Sequence, residues 1–161
     1  MLEDRTDPPA APELRVEVRG LRPDDFDAVV TIDERNVGRR REEFFRIKLA
    51  ENLAAAGIRV SLAAEVDGVL VGFLLARVFY GEFGRTEPSA ALDTLAVYPN
   101  LHGLGIGHAL LAQLRLNLSA LGVASIQTEV SWDDQALLAF FHREGFRPAP
   151  RLALDLEVVR P

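Results

Sequence analysis

The sequence predicts an α/β domain of the α+β type, with a central mixed, mostly antiparallel sheet flanked by helices. Three observations predict it. Segments with the period-two and period-3.6 apolar patterns of strands and helices alternate along the chain. Two of the period-two segments flank Asp67-Gly68, a dipeptide that favours a type I′ hairpin turn and hence antiparallel neighbours. A third runs into Gly103, Gly105 and Gly107, which open a leucine-rich helix, so the strand after that helix lies parallel to the one before it by the right-handed crossover rule.

Taken in order, residues 1–13, "MLEDRTDPPAAPE", are acidic and proline-rich and read as a flexible tail. They lack the basic and apolar layout of a secretory signal. A single domain is expected over 14–161. Leu14 to Arg19 alternates and suits an edge strand. In "RPDDFDAVVTIDERN" Pro23 fits a first helical turn, the aspartates complement its positive end, and Phe26, Val29 and Val30 form an apolar stripe, giving a helix to about Asn36. A second helix spans about Arg41 to Ala56, with Phe44, Phe45, Ile47, Leu49 and Leu53 as its apolar candidates and Gly57 as its stop. Val60, Leu62, Ala64 and Val66 begin the hairpin, which returns through Val69 to Phe79. "YGEFGRTEPS" is a loop, and Ala90 to Tyr98 is the next strand. The glycine helix runs to about Leu121. It is followed by a strand at Val123 to Val130, a helix at about Asp133 to Glu144 and a last strand around Leu152 to Val158.

Composition narrows the function. A chain of 161 residues that is 48% apolar and 26% charged can bury a substantial core. Eighteen basic against 24 acidic residues leave a net charge of −6, which argues against a nucleic-acid binder, and the run Arg39-Arg40-Arg41 reads as a solvated helix start. There is no cysteine, hence no thiol nucleophile or thiolate metal site, and a reducing cytoplasm fits. No apolar run approaches the roughly 18 residues of a membrane span. Neither nucleic acid nor membrane is expected as a partner, and self-association into a homodimer is left open.

The glycine turn "GLGIG" has two readings. A helix N-terminus carries unpaired N–H groups and partial positive charge, so a turn without side chains can let a phosphate approach. Equally, glycines can relieve strain or permit close packing. The spacing is not a dinucleotide fingerprint, and no Gly-Lys-Ser/Thr of a Walker loop follows.

"LAVYPNLHGLGIGHALL" resembles the signature of the GNAT superfamily of N-acetyltransferases. Leu95, Val97, Pro99, Gly103, Gly105, Ile106 and Gly107 stand in register, and His102 occupies the place of the usual Arg or Gln. "EVSWDDQALLAFFHREGF" is similar to the family's later segment, a strand Glu followed by a helix that ends aromatic-x-x-x-Gly-Phe. The resemblance covers about Leu14 to Val158. It implies a splay between two parallel strands and acetyl-CoA, or a related acyl-CoA, as co-substrate, with no metal.

By the same resemblance, the amides of Gly103, Leu104, Gly105, Ile106, Gly107 and His108 would hold the pyrophosphate; His102 reads either as lending partial charge to the phosphates or as a solvated loop histidine. The edge formed by Leu95, Ala96 and Val97 would pair with the pantetheine arm. Asp134 stands where the family's Asn contacts pantetheine, though as a residue it equally reads as a helix cap. Phe141 occupies the cofactor-side position where many members carry the Tyr that protonates the leaving thiolate. A phenyl ring has no proton to give, and Tyr98 and Tyr80 are the only tyrosines in the chain.

The reaction so implied is transfer of a small acyl group to a primary amine of a small molecule, a protein N-terminus or a lysine. Such an amine must first lose its proton, a job for a positioned base. Glu129 matches a Glu that looks like the base in ribosomal-protein N-terminal acetyltransferases. Asp93 matches an acidic residue near the acceptor in polyamine acetyltransferases. Glu82 is a weaker candidate, and each of the three equally reads as a surface acid. Trp132 is expected to pack at the start of the last helix, with a substrate platform near the thioester as the other reading. Because Phe141 departs from the pattern, a CoA-binding sensor without strong catalysis is the alternative.

Overall fold

The computed structural model describes residues 14–54, 60–81, 84 and 86–158. The expected tail at 1–13, the helix stop Gly57 and the loop acid Glu82 lie outside the described residues. The chain divides into two compact units, Met1–Glu129 and Val130–Pro161.

The first unit holds β1 (Glu17–Gly20), α1 (Phe26–Val37), α2 (Glu42–Ala54), β2 (Leu62–Val66), β3 (Val69–Phe79), β4 (Ser89–Val97), α3 (Ile106–Ala120) and β5 (Ser125–Gln127). The sheet order is β1-β2-β3-β4-β5. Its first three pairings are antiparallel and β4–β5 is parallel, so the expected mixed sheet is what forms. The hairpin turn is as read: Asp67 and Gly68 both take positive φ, 50° and 77°, the combination a type I′ turn requires.

Both faces of the sheet are covered. On one, Val29, Val30 and Ile32 of α1 and Phe45 and Leu49 of α2 pack with Ala63, Phe73 and Leu75. Phe45 meets Phe73 edge to face with centroids 5.8 Å apart. On the other lies α3, which buries Ile106, Leu110, Leu111, Leu114 and Leu118. This explains why Ser61, Leu62, Ala63 and Ala64 are all buried although their pattern alternates. Ile47, one of the expected apolar contacts of α2, is exposed.

The α1 start is pinned by charge. Arg19 grips Asp25 through two bonds of 2.8 and 2.7 Å, and the Arg22 amide donates to the same carboxylate at 2.7 Å. Burial alone would push the Asp25 carboxyl up, but the bonds from Arg19 and Arg22 outweigh it and hold the group below its ordinary value. Where α1 meets α2, Arg41 donates to buried Asp33, an interaction that raises the guanidinium above its usual value, and it also lies 4.8 Å from the Phe44 ring.

Three expected elements differ. The first strand begins at Glu17 rather than Leu14. The strand expected over Val123 to Val130 pairs only at Ser125–Gln127, because its partner β4 bends away beyond that point. The last strand, expected around Leu152 to Val158, is not formed: these residues join no ladder, and their apolar side chains are exposed.

In the second unit, α4 (Gln135–Arg143) starts at Asp134. Phe141 is buried between Phe140 and Phe146, with centroids at 5.4 and 4.8 Å.

Candidate functional site

The site is built where β4 leaves β5. Register pairs Ser89, Ala90 and Ala91 with Ser125, Ile126 and Gln127 and goes no further. The Thr128 hydroxyl then donates to the Leu92 carbonyl at 2.9 Å, closing the ladder with a side chain. One residue on, β4 carries a bulge: Leu75 pairs with Thr94 and Ala76 with Leu92, leaving Asp93 as the extra residue. A bulge bends its strand and tightens its twist, which carries Thr94 to Val97 away from β5. This is the splay between two parallel strands.

Beyond the bulge β4 presents main chain to that gap. The Tyr98 amide donates to the Val71 carbonyl at 2.9 Å, so alternation directs the polar groups of Tyr98 and Ala96 toward β3 and those of Leu95 and Val97 away from it. The Val97 carbonyl is engaged by two side chains, accepting from Asn36 Nδ2 and from His102 Nε2, each at 2.9 Å. A carbonyl only accepts, so His102 carries its proton on Nε2. The same Asn36 nitrogen donates to the Ile32 carbonyl at 2.8 Å, tying the last turn of α1 to the end of β4. Leu95 N–H and C=O and Val97 N–H are the groups this leaves along the edge.

The glycine turn follows directly. Pro99–Leu101 forms one 3-10 turn, and Gly103 and Gly105 both lie in the left-handed region, at φ 80° and 83°. A Cβ at either position would meet nothing within 4 Å. Backbone conformation, not close packing, therefore demands glycine at these two positions. Gly105 is the N-cap of α3, and no side chain caps that end. Leu104 is exposed, Ile106 is buried, and Gly107 and His108 complete the first turn.

What aligns this turn with the β4 edge is Gly72, which the sequence reading missed. A Cβ there would lie 3.1 Å from the Ala96 carbonyl oxygen, 3.1 Å from Val97 Cγ2 and 3.2 Å from Ile106 Cγ2. A glycine inside an apolar strand is the signal that could have found it. Asn36 was also missed, because it was read only as the end of a helix.

The two carboxylates proposed from sequence occupy corresponding positions on the two parting strands. Asp93 and Glu129 each stand two residues beyond the last ladder pair, Ala91–Gln127. Asp93 Oδ2 is 3.5 Å from Arg77 Nε and its side chain is only 18% exposed. The residue as a whole is exposed, so the exposure belongs to its bulged backbone. Glu129 is exposed, as befits a residue past the last ladder pair.

In the second unit, Asp134 Oδ1 accepts from the Leu137 amide at 3.0 Å, the geometry of a helix cap. Trp132, expected to pack, is instead 88% exposed on the irregular stretch before α4. Tyr80 is exposed, while Tyr98 packs against the α1–α2 cluster. Among the described residues no group of three or more His, Asp or Glu side chains is arranged to hold a metal ion, and no helix is long and apolar enough to cross a membrane.

A mixed sheet whose parallel pair parts beside a glycine-opened helix defines the GNAT class of fold. Residues 24–146 match the model of the Acetyltransferase (GNAT) family, and the chain belongs to that family. Its fold is similar to that of the aminoglycoside N-acetyltransferase AAC(6')-Iy in complex with CoA, at 17% identity and TM-score 0.75, covering 89% of this chain and 95% of that one. A transcriptional regulator from Bacillus halodurans C-125 is similar at 17% identity and TM-score 0.75, over 89% of this chain and 100% of that chain. The ribosomal-protein-alanine N-acetyltransferase from Brucella melitensis biovar Abortus 2308 is similar at 16% identity and TM-score 0.70, with 89% and 100% covered.

Proposed function

We propose that this chain is an N-acyltransferase that moves an acetyl or other small acyl group from acyl-CoA to a primary amine by direct attack. The observation that carries the reading is the continuous run of main chain from Leu95 through the uncapped start of α3: a strand edge for an amide-rich arm, leading to a helix N-terminus for a diphosphate. In this reading the amides of residues 103–108 hold the pyrophosphate. Leu95 and Val97 align the thioester arm, and Asn36 and His102 keep the Val97 carbonyl from turning.

The amine nitrogen attacks the thioester carbonyl carbon, the C–S bond breaks, and the CoA thiolate leaves. An ammonium has no lone pair, so a base takes its proton first. Glu129, exposed to water at the mouth of the gap, is the first candidate, through one water molecule. Asp93, beside the Arg77 cation, is the second. A thiol with an ordinary value near 8.5 is a tolerable leaving group without an acid, so Phe141 does not forbid turnover. The net charge of −6 favours a cationic acceptor. A cytoplasmic setting accords with the absence of cysteine.

Release of CoA thiol from acetyl-CoA tests this, with no background from a cysteine-free protein. The panel should include an aminoglycoside, an alanine-terminated peptide, a polyamine and an arylamine. Amine-dependent thiol release is expected with at least one of them. Tight CoA binding without release from any would favour the second reading, a CoA-binding sensor, which Phe141 supports. Absence of CoA binding would refute both.

A further inference from the structure

Beyond the bulge the outer edge of β4 carries two carbonyls, those of Leu95 and Val97, and the protein treats them differently. The Val97 oxygen accepts from Asn36 Nδ2 and from His102 Nε2, each at 2.9 Å. A carbonyl has two lone pairs, so these donors fill it. They come from separate parts of the fold. Asn36 stands in the last turn of α1, where a second bond to the Ile32 carbonyl at 2.8 Å holds its nitrogen, and His102 closes the 3-10 turn that leads into Gly103. One donor would satisfy the oxygen; the second withdraws it from any ligand laid along the edge. No side chain among the described residues bonds the Leu95 carbonyl.

We propose that Asn36 and His102 are positioning residues that set the register of the pantetheine arm, an inference that rests on the acyl-CoA reading above. A diphosphate held at residues 103–108 fixes one end of the arm, and the first edge groups the arm can pair with decide where its other end lies. With the Val97 oxygen filled, an N–H of the arm finds its first acceptor at the Leu95 carbonyl, two residues farther from the glycine turn. At about 3.3 Å per residue, that is a difference of about 6.6 Å. An open Val97 carbonyl would capture the arm that much too early and hold the thioester short of the bulge at Asp93. Misplacing a reacting group by about 1 Å can cost about 10²-fold in rate, so this stop governs whether the carbonyl carbon lies within reach of the amine. Neither side chain touches the reacting atoms. Both act through one backbone oxygen.

Carbonyl chemical shifts read the register without an acceptor. In the full chain, labelled uniformly with carbon and nitrogen isotopes, the Leu95 and Val97 carbonyl carbons are observed through the amides of Ala96 and Tyr98, before and after addition of CoA. A carbonyl carbon shifts when its oxygen gains a hydrogen bond. In the wild type, CoA is expected to move the Leu95 signal and leave the Val97 signal in place. In Asn36→Ala/His102→Ala, CoA is expected to move the Val97 signal as well, whereas His102→Gln, which keeps a donor, should leave it still. His102→Ala alone alters an exposed turn residue and spares the α1 bond, so it gives the same reading, through one opened lone pair, if the double variant does not fold. A Val97 carbonyl that moves with CoA in the wild type, or that stays still in the alanine variants, overturns the proposal while bound CoA leaves the acyl-CoA reading standing. No CoA-induced change anywhere would refute that reading and the register stop with it.

Discussion

Gly72→Ala probes the packing that holds the site together. The new Cβ would sit 3.1 Å from the Ala96 carbonyl oxygen, 3.1 Å from Val97 Cγ2 and 3.2 Å from Ile106 Cγ2, against an optimal carbon separation of about 3.5–4.0 Å. None of the three can step aside cheaply. The Ala96 oxygen belongs to the β3–β4 ladder, and Val97 and Ile106 are β-branched and stiff at χ1. Overpacking of this kind costs about 1–3 kcal/mol, offset by about 0.4–1 kcal/mol because alanine restricts the unfolded chain. The net loss is therefore about 1–2 kcal/mol. At roughly 2–4 °C per kcal/mol for a domain of this size, Tm should fall by about 2–8 °C, read by circular dichroism, with an unchanged urea m-value. Combining it with Ile106→Ala, which removes one of the three contacts, should cost less than the sum of the single changes. CoA affinity should fall as well, since the clash pushes the start of α3 off the β4 edge. A Tm equal to or above wild type would refute the claim that Gly72 sets the spacing of β3, β4 and α3.

The other predictions concern the site's charges and protons. Gly105→Glu places a like charge beside the pyrophosphate and a side chain on a residue at φ 83°, and calorimetry should find CoA binding abolished. Gly105→Ala carries only the backbone strain and should keep more affinity. Glu129→Gln should lower kcat at pH 7 by about 10²-fold or more with CoA affinity nearly unchanged, and the deficit should shrink at high pH as the acceptor arrives neutral. Wild-type kcat in that variant would transfer the role to Asp93. Asp25→Asn should cost about 2 kcal/mol at pH 7, measured by urea unfolding. Because the folded Asp25 carboxyl is held below its ordinary value, its contribution is complete above the unfolded value of about 3.9 and is lost as pH falls through the folded one. The gap between wild type and variant should therefore begin to narrow below the unfolded value and close only once pH has fallen past the lowered folded one. Phe141→Tyr adds a hydroxyl to a ring that is 5% exposed, so a loss of about 1–3 kcal/mol is expected, with kcat rising only if thiolate departure limits turnover.

What the sequence disclosed were features decided within a few residues. Asp67-Gly68 and the paired glycines at 103 and 105 are dictated by positive φ, which side chains oppose locally, and α1 by the stripe of Val29 and Val30. What it concealed depends on residues far apart in the chain. The shortness of β5 follows from a bulge at Asp93 on another strand. Leu152 to Val158 has a strand's pattern but no ladder, and a pattern cannot announce whether a partner is present. Asn36 and Gly72 act on Val97, 61 and 25 positions away, as sequence numbers, so no local motif reveals them. His102 was singled out for its charge, whereas its Nε2 is bound to a backbone oxygen.

The bulge at Asp93 also separates the cleft from the core. Leu92 pairs with Ala76 and Thr94 with Leu75, so the register on either side is the one an uninterrupted strand would have. Removing Asp93 would let Leu92 and Thr94 become neighbours with every later side chain still on its own face: Ala96 and Tyr98 against the α1–α2 cluster, Val97 beside Ile106. A single-codon deletion should thus give a straight β4 that folds on the same core but runs on alongside β5, closing the gap from within. Run in reverse, one residue inserted into an uninterrupted β4 is enough to open a gap beside β5 while leaving the facing pattern by which the rest of the strand packs unchanged.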